Sequence, residues 1–120
     1  MDEEIFRQYI DPLNRTVSVS SNTWEFKQVI HPEIRGKEDI LQKVFEEPNF
    51  IYESKDYTNR DVYFWYTTNI ELGSGLNYAM GIVEFSESTD YGEMVSIYGS
   101  TRIHGVNVGG LKYFNKQNEK

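Results

Sequence analysis

The chain has 120 residues, which suits a single domain with one core. It contains no cysteine, which excludes disulfides and thiolate zinc sites, and no apolar run approaches the ~20 residues that cross a membrane. Twelve Lys and Arg stand against nineteen Asp and Glu, and the net charge of −7 disfavours nonspecific binding to a phosphate backbone. The acidic N-terminus, Met1 to Glu4, is unlike a signal peptide, so we expect a cytoplasmic protein that does not contact a membrane.

The N-terminal fifteen residues, 1–15, read as an extension or a short helix. Ile5, Phe6, Tyr9 and Ile10 have the spacing of one helix face. Residues 16–115 are expected to form a single α+β domain, and residues 116–120 a polar tail. The domain opens with a short alternating stretch at 16–20, which predicts a strand.

Two helices are predicted next. The first begins at Asn22 or Thr23, either of which can cap the helix N-terminus, and ends near Pro32. The second covers 37–47, where four apolar residues at helical spacing form one face before Pro48 stops the helix.

The remaining domain reads as strands at 50–53, 61–68, 78–86 and 93–100. A glycine-rich loop is predicted at 105–110, followed by a short edge strand at 111–114. Because helices precede consecutive strands, we predict an α+β fold with two or three N-terminal helices on one face of a four- to five-stranded antiparallel sheet.

The first candidate for chemistry is His31-Pro32-Glu33 at the end of the first helix. An imidazole at a helix C-terminus is suited to proton transfer, and Glu33 could bind substrate or hold the ring. The alternative is structural, with Pro32 ending the helix and His31 capping its carbonyl groups.

The second candidate follows the strand predicted at 93–100 and comprises Ser100, Thr101, Arg102 and His104. Metal-independent RNA cleavage needs a base for the 2′-hydroxyl, an acid for the leaving oxygen and a cation for the charged phosphorane. His31 and His104 would transfer protons, Arg102 would stabilise the phosphorane, and Ser100 and Thr101 would donate hydrogen bonds to a phosphoryl oxygen. The alternative is a solvated loop whose charges do nothing.

Two further cations, Arg60 and Lys112, are candidate auxiliary phosphate contacts. Lys112 lies in a segment from Met94 to Asn118 that contains no Asp or Glu. Two histidines and scattered carboxylates have no metal-ligand spacing, and the glycines fit no nucleotide-binding pattern. We therefore expect neither a metal nor a cofactor.

The sequence WEFKQVIHPE at 24–33 resembles a phage-associated nuclease group, the barnase–EndoU–colicin–RelE-like proteins. The resemblance continues through Glu47-Pro48-Asn49 and the tyrosine-rich strand 62–66, over about residues 17–115. It implies a metal-independent endoribonuclease, active or degenerate, serving as a toxin or as an accessory protein of a phage or mobile element. The chain departs from the group at Phe26, where members often place a helical His.

An acidic chain rich in tyrosine also suits a protein with no enzymatic activity. Such a protein would be an immunity protein, an antitoxin or an inhibitor that binds a basic or nucleic-acid-binding partner. The two hypotheses differ in geometry, because the nuclease needs His31, Arg102 and His104 at one place on the surface.

Overall fold

A computed structural model describes residues 4–67, 72–73, 75–87 and 89–115. The predicted tail, 116–120, lies outside the described residues. In the described part, the elements are β1 (Ile5–Ile10), β2 (Thr16–Ser20), α1 (Ser21–Ile30), α2 (Asp39–Glu46), β3 (Phe50–Ser54), β4 (Arg60–Tyr66), β5 (Tyr78–Phe85), β6 (Tyr91–Ser100) and β7 (Val106–Phe114). A 3-10 turn, Pro32–Ile34, separates the helices. Neither helix has the length and apolar character needed to span a bilayer.

The strands form one seven-stranded sheet in the order β1-β2-β6-β5-β4-β3-β7. The fold is α+β, but the predicted four- to five-stranded antiparallel sheet is wrong. The sheet has more strands, and it is mixed because β2 runs parallel to β6. The prediction of up to three helices is also corrected, since the described residues contain two α-helices and the N-terminal segment forms β1.

The helix-like spacing near the N-terminus comes from a bulge in β1. The pairing with β2 matches Ile5 with Ser20 and then Arg7 with Val19, so β1 carries one extra residue. The extra residue changes the alternation, and Phe6 and Tyr9 both pack against the core although they are three apart. The same spacing marks a helix face, which is why the sequence pattern predicts a helix here.

Alternation along β4 separates two apolar layers. Tyr63 faces the helices and meets Phe45 of α2 edge to face, with ring centroids 5.3 Å apart. Phe64 points the other way, into a smaller cluster with Met80. Gly81 of β5 lies under α2, where an added Cβ would come within 2.6 Å of Phe45 Cε1. Helix α2 therefore rests directly on the sheet backbone.

The short loop after β6 implies that the sheet is concave on the face away from the helices. Strands β6 and β7 run in the same direction, so the chain from Ser100 to Val106 must cross that face from one end to the other. Six residues reach at most ~22 Å, whereas the diagonal across four strand spacings of a flat sheet would be roughly 28 Å. The sheet curls to shorten this path, and Ile103 packs with Val106 over the smaller cluster.

A buried polar network fixes the β1–β2 turn to the sheet. The Asp11 carboxylate accepts hydrogen bonds from Arg15 Nε at 2.9 Å and from the Tyr63 hydroxyl at 2.5 Å. Arg15 Nη1 also donates to Asp61 Oδ2 at 2.8 Å, and Lys112 Nζ lies 3.0 Å from Asp61 Oδ1. Burial raises the pKa of the Tyr63 phenol far above its ordinary value; the hydrogen bond to Asp11 adds to this rise, while Arg15 opposes it.

The Tyr63 network predicts a loss of stability in alkaline solution. Above the ordinary tyrosine pKa of 10.0, an unfolded chain releases the Tyr63 proton while the folded chain keeps it. The raised folded-state pKa therefore stabilises the protein below pH 10.0, and this contribution falls by about 1.4 kcal/mol per pH unit above it. Urea unfolding from pH 8 to pH 11 should show a shallower decline for Tyr63→Phe than for wild type. Equal declines would contradict this account.

The contact at Gly81 predicts that even a methyl group is costly there. Gly81→Ala should lower the free energy of unfolding by about 1–3 kcal/mol, since the Phe45 ring must move. Gly109→Ala is the matched control, because its Cβ would meet nothing closer than Asn107 Oδ1 at 3.9 Å. We expect the control to stay within about 0.5 kcal/mol of wild type in urea unfolding. A harmless Gly81→Ala would mean that α2 is not seated as described.

Candidate functional site

The candidate site lies along the second half of β6. Strand β2 pairs with Tyr91, Gly92 and Glu93 at the start of β6, and in the described chain no strand pairs with the outer edge beyond them. Unpaired strand N–H groups inside a protein need another acceptor. The residues that follow α1 supply such an acceptor at this edge.

Helix α1 is built so that His31 and Glu33 arrive at β6. Its N-cap is Ser20, whose Oγ accepts from the Thr23 backbone N–H at 3.1 Å, so the predicted caps are two or three residues late. The helix ends at Ile30, and His31 forms its C-cap by donating its N–H to the Lys27 carbonyl oxygen. Pro32 then begins the 3-10 turn, because proline suits the first position of a helical turn.

The Glu33 carboxylate closes the free edge of β6. Its Oε2 accepts a hydrogen bond from the Gly99 backbone N–H at 2.8 Å. An added Cβ at Gly99 would lie 3.1 Å from Glu33 Cγ, so a side chain there would crowd the carboxylate. The same Oε2 lies 3.9 Å from His31 Nδ1, which is beyond hydrogen-bond distance but close enough for charge to act.

Tyr98 brings the two histidines together. The His31 ring stacks on the Tyr98 ring with centroids 5.1 Å apart and a 26° tilt, and the His104 ring lies 6.3 Å from the same Tyr98 ring. His104 is exposed and His31 is half-buried. Burial raises the pKa of Tyr98, so its hydroxyl stays protonated near neutrality.

The predicted loop residues lie between Tyr98 and His104. Ser100 Oγ donates to the Arg102 carbonyl oxygen at 2.7 Å and accepts from the Arg102 N–H at 3.3 Å, so its hydroxyl shapes the turn. The Thr101 carbonyl oxygen accepts from Asn77 Nδ2, and both Thr101 and Arg102 are exposed. Arg102 therefore stands on the same short loop as His104.

The other predicted cations lie elsewhere. Arg60 Nε binds Glu84 Oε1 at 2.8 Å, and its guanidinium covers the Tyr57 ring. The Arg60–Glu84 row of the sheet is five residues from Tyr98 along β6, roughly 15 Å. Lys112 is held by Asp61 in the buried network. A cavity of about 680 Å³ lies beside that network, and neither Tyr98 nor the two histidines line it.

Sequence reasoning missed Tyr98 because an aromatic residue in a strand is usually a packing residue. The available signal was its place two positions before Ser100, within the stretch that has no Asp or Glu. Among the described residues no group of three or more His, Asp or Glu side chains could hold a metal ion. The arrangement offers two imidazoles, a carboxylate and a phenol in contact, with the exposed Arg102 on the loop that carries His104.

The shared contact with Tyr98 can be checked by NMR. Replacing Tyr98 with Leu removes the ring current felt by both histidines, so the imidazole proton signals of His31 and His104 should both shift. Phe26→Leu is the control, because the exposed Phe26 ring contacts no imidazole among the described residues. A shift of only one histidine would contradict the arrangement.

Comparison with protein-family models, with curated proteins and with solved structures finds no match for this chain. The resemblance of segment 24–33 to the nuclease group therefore rests on the quoted residues alone. The geometry around Tyr98 is the main guide to function.

Proposed function

We propose that the protein is a metal-independent endoribonuclease whose catalytic groups are His31, His104 and Arg102. The observation that carries the proposal is the single Tyr98 ring contacted by both imidazoles. The two histidines are 73 positions apart in the sequence, yet their rings lie 5.1 Å and 6.3 Å from the same Tyr98 ring.

The reaction needs two proton transfers. One imidazole accepts the proton of the RNA 2′-hydroxyl as its oxygen forms a bond to the adjacent phosphorus. The other imidazole donates a proton to the 5′-oxygen as the phosphorus–oxygen bond to it breaks, which leaves a 2′,3′-cyclic phosphate. The exposed Arg102 guanidinium would neutralise the charge that builds on the phosphoryl oxygens.

Of the two imidazoles, the one that faces the Glu33 carboxylate is that of His31. The carboxylate faces His31 Nδ1 at 3.9 Å while it is held by the Gly99 N–H, so it favours one orientation of the His31 ring. In that orientation Nε2 remains the nitrogen for substrate. Glu33 is thus a positioning residue, and this differs from the substrate-binding role that its sequence position predicted.

The acidic balance does not oppose binding at this place. Tyr98, Arg102 and His104 all belong to the segment 94–118, which has no Asp or Glu. Glu33 brings one carboxylate to the site from outside this segment, whereas charges beyond about 8–10 Å are largely screened at physiological salt. A phosphate can therefore meet Arg102 without a neighbouring carboxylate from its own segment.

Cleavage of RNA by the purified protein in EDTA tests the proposal. Wild type should release fragments that end in cyclic phosphate, and His31→Ala and His104→Ala should each slow cleavage by about 10²–10⁴-fold. Arg60→Ala is the control for a substitution outside the site, because Arg60 pairs with Glu84 away from Tyr98. We expect that control to cleave at the wild-type rate. Wild-type cleavage no faster than that of the His31→Ala/His104→Ala double variant would refute the proposal.

One observation favours the alternative of a protein that binds a partner without catalysis. Helix α1 exposes Phe26, Val29 and Ile30, which are 58%, 67% and 44% exposed. Such an apolar helix surface on an acidic molecule suits a basic protein partner. Absence of RNA cleavage, together with wild-type folding of the histidine variants, would favour this alternative.

A further inference from the structure

A second cavity, of about 460 Å³, opens at the end of strands β3, β4 and β7. Its volume is within the range of about 300–1,000 Å³ that small-molecule sites occupy. The residues that line it are five aromatics and two amides: Phe50, Trp65, Tyr66, Tyr78, Phe114, Asn49 and Asn115. Among these described lining residues no side chain is charged, which is notable in a chain of net charge −7.

The aromatic walls are ordered by contacts with each other. The Phe50 and Phe114 rings stack with centroids 5.5 Å apart, and the Tyr66 and Tyr78 rings meet edge to face at 5.7 Å. Tyr66 is nevertheless 57% exposed and Phe114 is 37% exposed. Exposed rings that are already held in place suit a flat, uncharged ligand that stacks, since little side-chain entropy remains to be lost.

Asn49 supplies a polar edge to the cavity. Its Oδ1 accepts the Tyr66 backbone N–H at 2.7 Å, which fixes the amide beside the exposed ring. Among the described residues its amide nitrogen has no hydrogen-bond partner, so it is free to donate to a ring nitrogen or carbonyl oxygen of a ligand. Stacking faces with one edge donor match the chemistry of a nucleobase.

The cavity is next to the proposed catalytic site. Tyr66 pairs with Tyr78, and Tyr78 pairs with Ser100, two residues after Tyr98. From strand spacings, the Cα atoms of Tyr78 and Tyr66 lie about 8 Å and about 12 Å from that of Tyr98. Neighbouring nucleotides of one strand can bridge these distances.

The charge pattern supports the passage of a nucleic-acid strand between the two places. Phe114 and Asn115 on one wall belong to the same acid-free segment as Tyr98 and Arg102. A phosphate backbone could run along this strip without meeting an Asp or Glu from it.

We propose that this cavity binds an unpaired nucleobase of the RNA strand that is cut beside Tyr98, with the base stacked against Tyr66. This inference rests on the proposed function for the identity of the ligand. The base must be unpaired, because in a duplex its faces are covered by its neighbours.

Binding of a 2′-O-methyl RNA oligonucleotide tests the cavity separately from catalysis, since this strand lacks the 2′-hydroxyl that cleavage needs. In fluorescence anisotropy, the single strand should bind more tightly than its duplex. Tyr66→Leu should weaken binding by about 10-fold, which is typical of losing one stacked base. Tyr57→Leu is the matched control, because Tyr57 is 52% exposed but lies with Arg60, outside the cavity. We expect it to bind within about twofold of wild type, and thermal unfolding should show both variants folded.

The outcomes separate this inference from the proposed function. Tyr66-dependent binding by a protein that cuts no RNA would support the nucleobase site and refute the nuclease. Cleavage of RNA with equal oligonucleotide binding by wild type and Tyr66→Leu would overturn the inference alone. Absence of binding, or tighter binding of the duplex, would also overturn it.

Discussion

The hydrogen bond from the Gly99 N–H to Glu33 is the contact on which the candidate site depends. Strand β6 loses its parallel neighbour after Glu93, and its outer edge then needs acceptors that are not strand carbonyls. Glu33 supplies one, and in doing so it ties the turn after α1 to β6. That tie places His31 on the Tyr98 ring. A hydrogen-bonding requirement of the sheet edge thus brings His31 to Tyr98.

His104 reaches the same ring through a different constraint. The chain crosses the face away from the helices between β6 and β7 in very few residues, and His104 lies beside Tyr98 on this crossing. Ile103 packs inward, and the neighbouring His104 remains exposed beside Tyr98. The end of α1 and the loop between β6 and β7 are separate parts of the chain, and each places a histidine against Tyr98. The curl of the sheet is therefore part of the site.

Local periodicity predicted α2 and the strands β3 to β6 within a few residues, because each alternates or repeats around its own buried face. Local periodicity could not predict which strands pair with each other in the sheet. The parallel pairing of β2 with β6 joins residues about 75 positions apart, and β7 pairs with β3 instead of its sequence neighbour β6. The glycines at 109 and 110 predicted a loop, yet they lie within β7, where Glu53 leaves no room for a Cβ at Gly110.

Residue chemistry predicted His31, Arg102 and His104 as candidate site residues, whereas the strand register determines which other cations lie near them. Arg60 and Lys112 form ion pairs with Glu84 and Asp61 elsewhere in the sheet. Few cationic side chains are therefore left to contact phosphates at the candidate site. Few phosphate contacts mean weak, weakly salt-dependent attraction to RNA in general. An RNA held here would owe its affinity mainly to stacking, which is independent of the charge of the molecule. The uncharged aromatic cavity beside Tyr78 is the part of the surface that meets that requirement.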